Sequence, residues 1–91
     1  MYTLSVLIKN RTGLHARPAS EFVEMAESYK SKITIKRADD DDAAVDAKSI
    51  MLLLTLGLGQ GDEAIISAAG EDETEAVDAL VALIDSKFGE D

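Results

Sequence analysis

The chain contains a single histidine and a single proline, and both lie in the segment 13–18, Gly-Leu-His-Ala-Arg-Pro. The imidazole of His15 is nucleophilic near neutral pH and can accept a phosphoryl group. The guanidinium of Arg17 can hold phosphate oxygens through two hydrogen bonds. The combination of the two side chains therefore favours a phosphoryl-transfer site. The alternative is that His15 is an ordinary cap or loop residue, as a lone histidine near a helix start more often is.

The backbone of this segment is expected to turn from a strand into a helix. Gly13 ends an apolar-alternating run and tolerates positive φ. Pro18 has no backbone N–H, so it suits the first turn of a helix, where those donors have no intrahelical partner. We therefore expect His15 at or next to the N-cap, where the helix dipole and the first N–H groups favour an anion.

A second candidate site is the segment 48–51, Lys-Ser-Ile-Met. Ser49 has the residue type and place of the N-cap of a short helix, and capping alone would explain it. We expect its hydroxyl to be exposed, with space for an added phosphate that the helix dipole favours. Ile50, Met51 and Leu54 each suit a core position, but together they predict an apolar patch for docking a partner.

Two other motifs lack the spacing that a ligand site requires. Asp39–Asp42 has neither the spaced ligands nor the closing glutamate of a calcium loop, so we interpret it as a solvated turn. The glycines at 57, 59 and 61 are not followed by the Lys-Ser/Thr pair of a phosphate-binding loop. The chain has no cysteine, which excludes disulfides and thiolate metal sites. The sequence therefore predicts no metal site and no bound cofactor.

The elements that position these residues follow from hydrophobic periodicity. Apolar alternation predicts four strands, over 2–8, 32–36, 45–47 and 63–69. Helical spacing predicts helices over 17–29 and 50–56, and a last helix that follows Asp72 and can end at Gly89. Asp72 and Glu75 resemble a capping box, with Asp in place of Ser or Thr. The order β-α-β-β-α-β-α favours one α+β domain over residues 1–91, with an antiparallel or mixed sheet covered by helices on one face.

Composition restricts the classes of partner. The 91 residues include 18 acidic and nine basic side chains, a formal charge of −9. Such a chain is a poor candidate for binding nucleic acid or anionic lipid, and it suits solubility, haloadaptation or docking on basic protein surfaces. The first residues lack the pattern of a signal peptide. The longest apolar run, Ile50–Leu54, is too short to span a bilayer. We expect a cytoplasmic protein that does not insert into membranes.

The segments 13–19 and 48–51 together resemble the HPr family, the histidine-containing phosphocarriers of the bacterial sugar phosphotransferase system, and the resemblance covers nearly the whole chain. It implies an open-faced β-sandwich with a four-stranded antiparallel sheet under three helices. It also implies that the protein, expected to be a monomer, takes a phosphoryl group from enzyme I and passes it to the IIA domains of sugar-specific enzymes II. Phosphoenolpyruvate charges enzyme I.

The resemblance assigns roles to residues around the histidine. His15 corresponds to the residue that is phosphorylated through Nδ1, and Arg17 to the residue that steadies the phosphate. Thr12 stands where many relatives have Ser or Thr near the phosphate. Ala16 and Pro18 are the other neighbours of the phosphate that the resemblance implies.

The resemblance also covers the second segment. Ser49 corresponds to the regulatory serine that an ATP-dependent HPr kinase/phosphorylase modifies, and a catabolite-control transcription factor is a further implied partner. Leu52 departs from the family pattern, which usually has a glycine soon after Ser-Ile-Met. We expect this leucine to alter the short helix or to widen the apolar patch.

Three other functions stay open from the sequence. The first is a regulatory HPr-like interaction protein acting chiefly through Ser49, although the presence of His15 argues against that as the sole role. The second is a nitrogen-branch phosphocarrier, which the match at 48–51 disfavours. The third is a small-molecule-binding α/β domain, for which the sequence shows no pocket.

Overall fold

The computed structural model describes residues 1–40 and 43–89. Its strands are β1 (Tyr2–Leu7), β2 (Lys32–Arg37), β3 (Val45–Asp46) and β4 (Glu63–Ala69). Its helices are α1 (Ala16–Glu27), α2 (Ile50–Thr55) and α3 (Glu73–Asp85), and a short 3₁₀ turn follows at Lys87–Gly89. This is the predicted order β-α-β-β-α-β-α. The predicted turn at Asp39–Asp42 lies partly outside the described residues, since 41 and 42 are not among them.

The four strands form one antiparallel sheet in the order β1-β4-β2-β3. The last strand of the sequence lies in the interior of the sheet, where it pairs along its length with both β1 and β2. Ile66 of β4, for example, stands opposite Leu4 on one side and Ile35 on the other. The edge strand β3 is only two residues long, and short edge strands resist pairing with other chains.

The core lies between one face of the sheet and the helices. The sheet contributes buried alternate residues: Val6, Ile33, Ile35, Ala64, Ile66 and Ala68. The long helices contribute the buried side of each amphipathic pattern, including Phe22, Ala26, Val77, Leu80 and Ile84. The other face of the sheet carries polar residues, among them Thr3 and Ser67, whose hydroxyls lie 2.9 Å apart. Each helix within the described residues is too short or too polar to cross a bilayer.

The predicted capping box at Asp72 and Glu75 is wrong. Asp72 is the N-cap residue of α3, but its side chain makes no capping bond. Its carboxylate instead accepts hydrogen bonds from the backbone N–H of Lys30 at 2.8 Å, and from the N–H and hydroxyl of the buried Ser31. Ser31 is buried, so its two donors are removed from water and need an acceptor more than the helix end does.

Helix ends also differ from prediction. α1 ends at Glu27 rather than Tyr29, and the Tyr29 carbonyl accepts a hydrogen bond from Lys48 Nζ at 2.8 Å. α3 ends at Asp85, before the left-handed residues Lys87 (φ 61°) and Phe88 (φ 54°). This reversal buries the Phe88 ring, which is 4% exposed, and burial of an aromatic side chain outweighs the backbone cost. The C-terminal turn is thereby placed beside α1.

Candidate functional site

His15 is the N-cap residue of α1, as the sequence predicts. Its backbone is extended, with φ −134° and ψ 162°, and its side chain makes no capping hydrogen bond. The residue is exposed. An ordinary N-cap side chain accepts a hydrogen bond from the first turn of its helix, and the His15 side chain does not. The imidazole faces solvent at the positive end of the helix.

Ala16, directly after His15, has a φ of +52°. Within the described residues, the other non-glycine residues with positive φ are Lys87 and Phe88 of the C-terminal turn. For a residue with a Cβ this conformation costs on the order of 1 kcal/mol. The strain is located at the residue that joins the candidate nucleophile to its helix. The family resemblance implies that Ala16 lies near the phosphate, but the sequence carries no signal for this backbone conformation.

Gly13 is required by both conformation and space. Its φ is +69°, and a Cβ added there would lie 2.6 Å from the Gly59 Cα and from the Leu58 carbonyl oxygen. The next N–H, that of Leu14, donates to the same Leu58 carbonyl at 2.9 Å. The turn that carries His15 therefore rests against the glycine-rich segment 57–62. The residue type of Gly13 allows the positive φ, but no local pattern predicts this packing.

The buried Asn10 holds the other side of this turn. Its side-chain Nδ2 donates to the Gly13 carbonyl at 2.9 Å and to Thr12 Oγ1 at 3.3 Å. The backbone carbonyl of Asn10 accepts from the Gly13 N–H at 3.2 Å. Sequence analysis missed Asn10. An asparagine three residues before a glycine, at the end of a strand, is a turn signal that could have identified it.

Arg17 extends from the first turn of α1 and is 58% exposed. Its Nη1 contacts Glu21 Oε1 at 2.8 Å, one helical turn along, and its Nη2 donates to the Phe88 carbonyl at 3.3 Å. Pro18, the third helical residue, is buried under the same turn. The guanidinium is thus held between the Glu21 carboxylate and the C-terminal turn.

Ser49 is the N-cap residue of α2, as predicted, and its Oγ accepts a hydrogen bond from the Leu52 N–H at 3.3 Å. The residue as a whole is half-buried, and the hydrogen bond to its Oγ lies at the exposed surface. The preceding side chain, Lys48, reaches the carbonyl of Tyr29 just beyond the end of α1. The start of α2 is therefore joined to the far end of the helix that begins at His15.

Helix α2 exposes apolar side chains as the docking prediction requires. Ile50, Met51 and Leu54 are 37%, 77% and 42% exposed, while Leu53 is buried at 1%. Leu52 is 44% exposed, so it leaves the helix intact and widens the exposed apolar surface. We call Ile50, Met51, Leu52 and Leu54 the α2 patch. Because α2 packs against α1, the α2 patch and the His15 turn belong to the same helical layer.

The predicted loop at glycines 57, 59 and 61 is confirmed, and these residues serve as packing and turn positions. Asp39 forms an ion pair with Arg37 at 3.0 Å. Over residues 1–40 and 43–89, acidic and histidine side chains form no group of three or more that could hold a metal ion.

Known proteins resemble this chain in sequence and in fold. A family model described as "PTS HPr component phosphorylation site" matches residues 2–86. The phosphocarrier protein NPr of Proteus mirabilis is 41% identical over 86 residues, 94% of this chain and 93% of the relative. The HPr-like protein Crh of Halalkalibacterium halodurans is 41% identical over 87 residues, 96% of this chain and 100% of the relative.

The crystal structure of HPr-C-His from Thermoanaerobacter tengcongensis superposes with a TM-score of 0.92 at 49% identity, covering 100% of this chain and 99% of that one. The predicted fold, a four-stranded antiparallel sheet with three helices, is thus confirmed. With the family match across most of the sequence, these likenesses show that the chain belongs to the HPr family of phosphocarrier proteins of the phosphotransferase system.

Proposed function

We propose that the protein accepts a phosphoryl group on His15 from phosphorylated enzyme I and passes it to the IIA domains of sugar-specific enzymes II. The observation that carries this proposal is the exposed imidazole at the N-cap of α1, whose ring makes no capping bond. A carrier must present one atom to two partners in turn, and exposure allows both to reach it. The partners proposed here work in the cytoplasm, and the protein meets them as a monomer.

The chemistry requires only one nucleophilic nitrogen. In the neutral imidazole, one nitrogen carries hydrogen and the other has a lone pair. When Nδ1 holds the lone pair, it attacks phosphorus, and the new P–N bond forms as the bond between phosphorus and the donor breaks. Transfer onward reverses the step, with His15 Nδ1 as the leaving group. The phosphoryl group is conserved throughout, and no further reactant is consumed.

Arg17 is proposed to steady the phosphate. In the present structure its Nη1 is paired with Glu21, and both side chains are partly exposed, at 58% and 39%. A phosphate carries more negative charge than a carboxylate, so it can displace Glu21 from the guanidinium. The helix N-terminus adds stabilisation of about 0.3–1 kcal/mol. Such moderate stabilisation suits a phosphate that has to leave again.

We propose that the α2 patch is the surface on which the partners dock. An apolar surface in the same helical layer as His15 provides contact area without adding charge to that layer. Met51, the most exposed of these side chains at 77%, is unbranched and adapts to partners of different shape. This suits a protein that binds a donor and several acceptors through one face.

Ser49 is proposed as a second, regulatory phosphorylation site, with an HPr kinase/phosphorylase and a catabolite-control transcription factor as partners. Its Oγ already accepts from the Leu52 N–H, and phosphate oxygens at an N-cap can accept the same donor. The fold should therefore tolerate the modification. The added charge would lie next to Ile50 and Met51, where it weakens apolar docking.

Two alternative functions have to be tested against this proposal. The likeness to NPr supports a nitrogen-branch carrier, and the likeness to Crh supports a regulatory protein. The exposed His15 favours a carrier over a protein that acts only through Ser49. The decisive experiment incubates the protein with phosphoenolpyruvate and either the sugar-branch or the nitrogen-branch enzyme I, followed by intact mass.

We expect a gain of one phosphoryl group with the sugar-branch enzyme, labile to acid and stable to alkali as a phosphoramidate is. The matched His15→Ala variant should gain none. Undiminished labelling of His15→Ala would refute the proposed acceptor, and labelling by the nitrogen-branch enzyme alone would assign the protein to that branch.

A further inference from the structure

Arg37, the last residue of β2, joins three parts of the chain through one guanidinium. Its Nη1 donates to the carbonyls of Leu56 at 3.2 Å and Gly57 at 3.0 Å, and to Asp62 Oδ2 at 3.0 Å. On its other edge, Nε and Nη2 donate to the carboxylate oxygens of Asp39 at 3.0 and 3.3 Å. The Arg37 side chain is 21% exposed and Asp62 is 32% exposed, whereas Asp39 is 70% exposed.

Asp62 continues the connection into the glycine-rich loop. Its Oδ2 accepts from the Gly59 N–H at 2.8 Å as well as from Arg37. Its own carbonyl accepts from the Ile8 N–H at 2.8 Å, and the Gly61 N–H donates to the Ile8 carbonyl at 2.8 Å. The loop 57–62 is therefore fixed on one side by Arg37 and on the other by the residue that follows β1.

This loop supports both halves of the proposed site. At one end, the Leu56 and Gly57 carbonyls held by Arg37 lie just beyond α2, whose C-cap is Leu56. In the middle, the Leu58 carbonyl accepts from the Leu14 N–H at 2.9 Å, one residue before His15. A shift of this loop would therefore move the His15 turn and the end of α2 together.

We infer that Arg37 and Asp62 are positioning residues for phosphoryl transfer, which hold the 57–62 loop so that the His15 turn and the α2 patch keep one relative geometry. The inference rests on the proposed role of His15. It goes beyond that role because neither side chain belongs to the segments 13–18 or 48–54. Arg37 lies at the end of β2, whereas His15 and the α2 patch lie on α1 and α2. A merely structural ion pair would stabilise the fold without affecting transfer.

The test compares three variants at a temperature where each is fully folded by circular dichroism. Arg37→Met keeps an unbranched stem but removes every donor. Asp62→Asn keeps the shape and weakens the bond to Arg37. Lys36→Met is the matched control, because it removes a cation from the adjacent position, on the opposite face of β2 from the buried Ile35.

Two readouts are needed. The first is kcat and KM for each variant as the substrate of enzyme I with phosphoenolpyruvate. The second is independent of transfer, namely the amide hydrogen exchange of Leu14 and the chemical shifts of the His15 ring protons. We expect Arg37→Met to lower kcat/KM on the order of 10-fold to 100-fold, as displaced catalytic groups do. Leu14 exchange should rise while that of Leu80 in α3 stays unchanged.

Asp62→Asn should act in the same direction with a smaller effect, and Lys36→Met should match the wild type. If Arg37→Met and Asp62→Asn lower the unfolding midpoint but leave transfer, Leu14 exchange and the His15 ring shifts unchanged, the inference is wrong. Should Arg37→Met not fold, Asp62→Asn decides alone. If the wild type is not phosphorylated on His15, the proposed function fails, while Leu14 exchange and the ring shifts still test the positioning.

Discussion

The two long helices begin in similar ways but use their first residues differently. Each follows a glycine with positive φ, Gly13 before α1 and Gly70 before α3, and neither N-cap side chain caps its helix. Asp72 reaches back to satisfy three donors of the turn before β2, including those of the buried Ser31. His15 faces solvent next to the strained Ala16.

The difference separates a junction that stabilises the fold, at the start of α3, from one that exposes the proposed phosphoryl acceptor. Because of the proposed role of His15, we call the start of α1 the reactive junction. At the start of α3, the N-cap side chain satisfies buried donors, as is typical of a structural junction. At the start of α1, the imidazole of His15 is exposed to solvent, and the backbone of the next residue, Ala16, is strained. Strain of this kind persists only where the surrounding structure holds it, here Asn10 and the 57–62 loop.

The largest effect should come from the reactive junction. His15→Ala is expected to abolish phosphorylation by enzyme I completely, because the only imidazole of the chain is lost. Its free energy of unfolding should change by no more than about 0.5 kcal/mol, since the side chain is exposed and makes no capping bond. Intact mass and urea unfolding measure the two quantities. A large loss of stability would show that the histidine is also structural.

The reverse outcome is expected at the structural junction. Asp72→Asn should lower the unfolding midpoint, because an amide cannot satisfy the Lys30 and Ser31 donors as a carboxylate does. The rate at which enzyme I phosphorylates His15 should match the wild type at temperatures where the variant is fully folded. A variant with unchanged stability and slowed transfer would reverse the comparison between the two junctions.

Acid should act on the same junction. Hydrogen bonds from Ser31 and from the Lys30 N–H lower the pKa of Asp72, and the Gly70 N–H lowers the pKa of Glu73. A carboxyl whose pKa is lower in the folded state stabilises the fold above its unfolded pKa, near 4, and loses that contribution as pH falls through the folded value. Stability should therefore fall below about pH 4. The fall should be smaller in Asp72→Asn, by urea unfolding across this range.

At the reactive junction, Arg17→Ala should slow transfer on the order of tenfold while the fold is kept, because one charge-assisted phosphate contact is lost. Its exposed ion pair with Glu21 contributes little to stability. Glu21→Gln is the matched control, since it frees the guanidinium from its carboxylate and should not slow transfer. Wild-type kinetics for Arg17→Ala in both directions would make Arg17 a surface charge only.

Ser49 adds a third helix start, and this one caps in the ordinary way. Ser49→Asp keeps an N-cap acceptor and adds a charge beside the α2 patch, so it should slow phosphorylation by enzyme I severalfold at unchanged stability. Ser49→Ala should instead cost about 0.5–2 kcal/mol of stability. An unchanged rate for Ser49→Asp, with no labelling of the wild type by an HPr kinase, would reduce Ser49 to a cap.

The smallest effect should come from relieving the strain. Ala16→Gly should raise the free energy of unfolding by up to about 1 kcal/mol, because glycine adopts positive φ without the Cβ penalty. Transfer should slow slightly, since a glycine holds the His15 turn less firmly. Thermal unfolding and the enzyme I rate measure both. Destabilisation would show that the greater backbone entropy of glycine in the unfolded chain outweighs the relief of strain.

Local patterns determined much of what the sequence predicts. The order of elements, the N-cap positions of His15 and Ser49 and the exposed face of α2 all follow from periodicity and residue type over a few positions. These features depend on interactions between near neighbours, such as helical spacing and the missing N–H of Pro18. The family motifs also lie within such short segments.

Tertiary structure alone decided the features that depend on burial and on partners distant in the sequence. Asp72 lies 41 residues from Ser31, and Arg37 lies 25 residues from Asp62, so no local pattern links them. Likewise, the buried Phe88 forces the C-terminal turn that local helix signals missed. Donors removed from water must find acceptors wherever the chain brings them. The sequence by itself thus determined that His15, the proposed acceptor, lies at the start of α1, and packing decided what holds that turn in place.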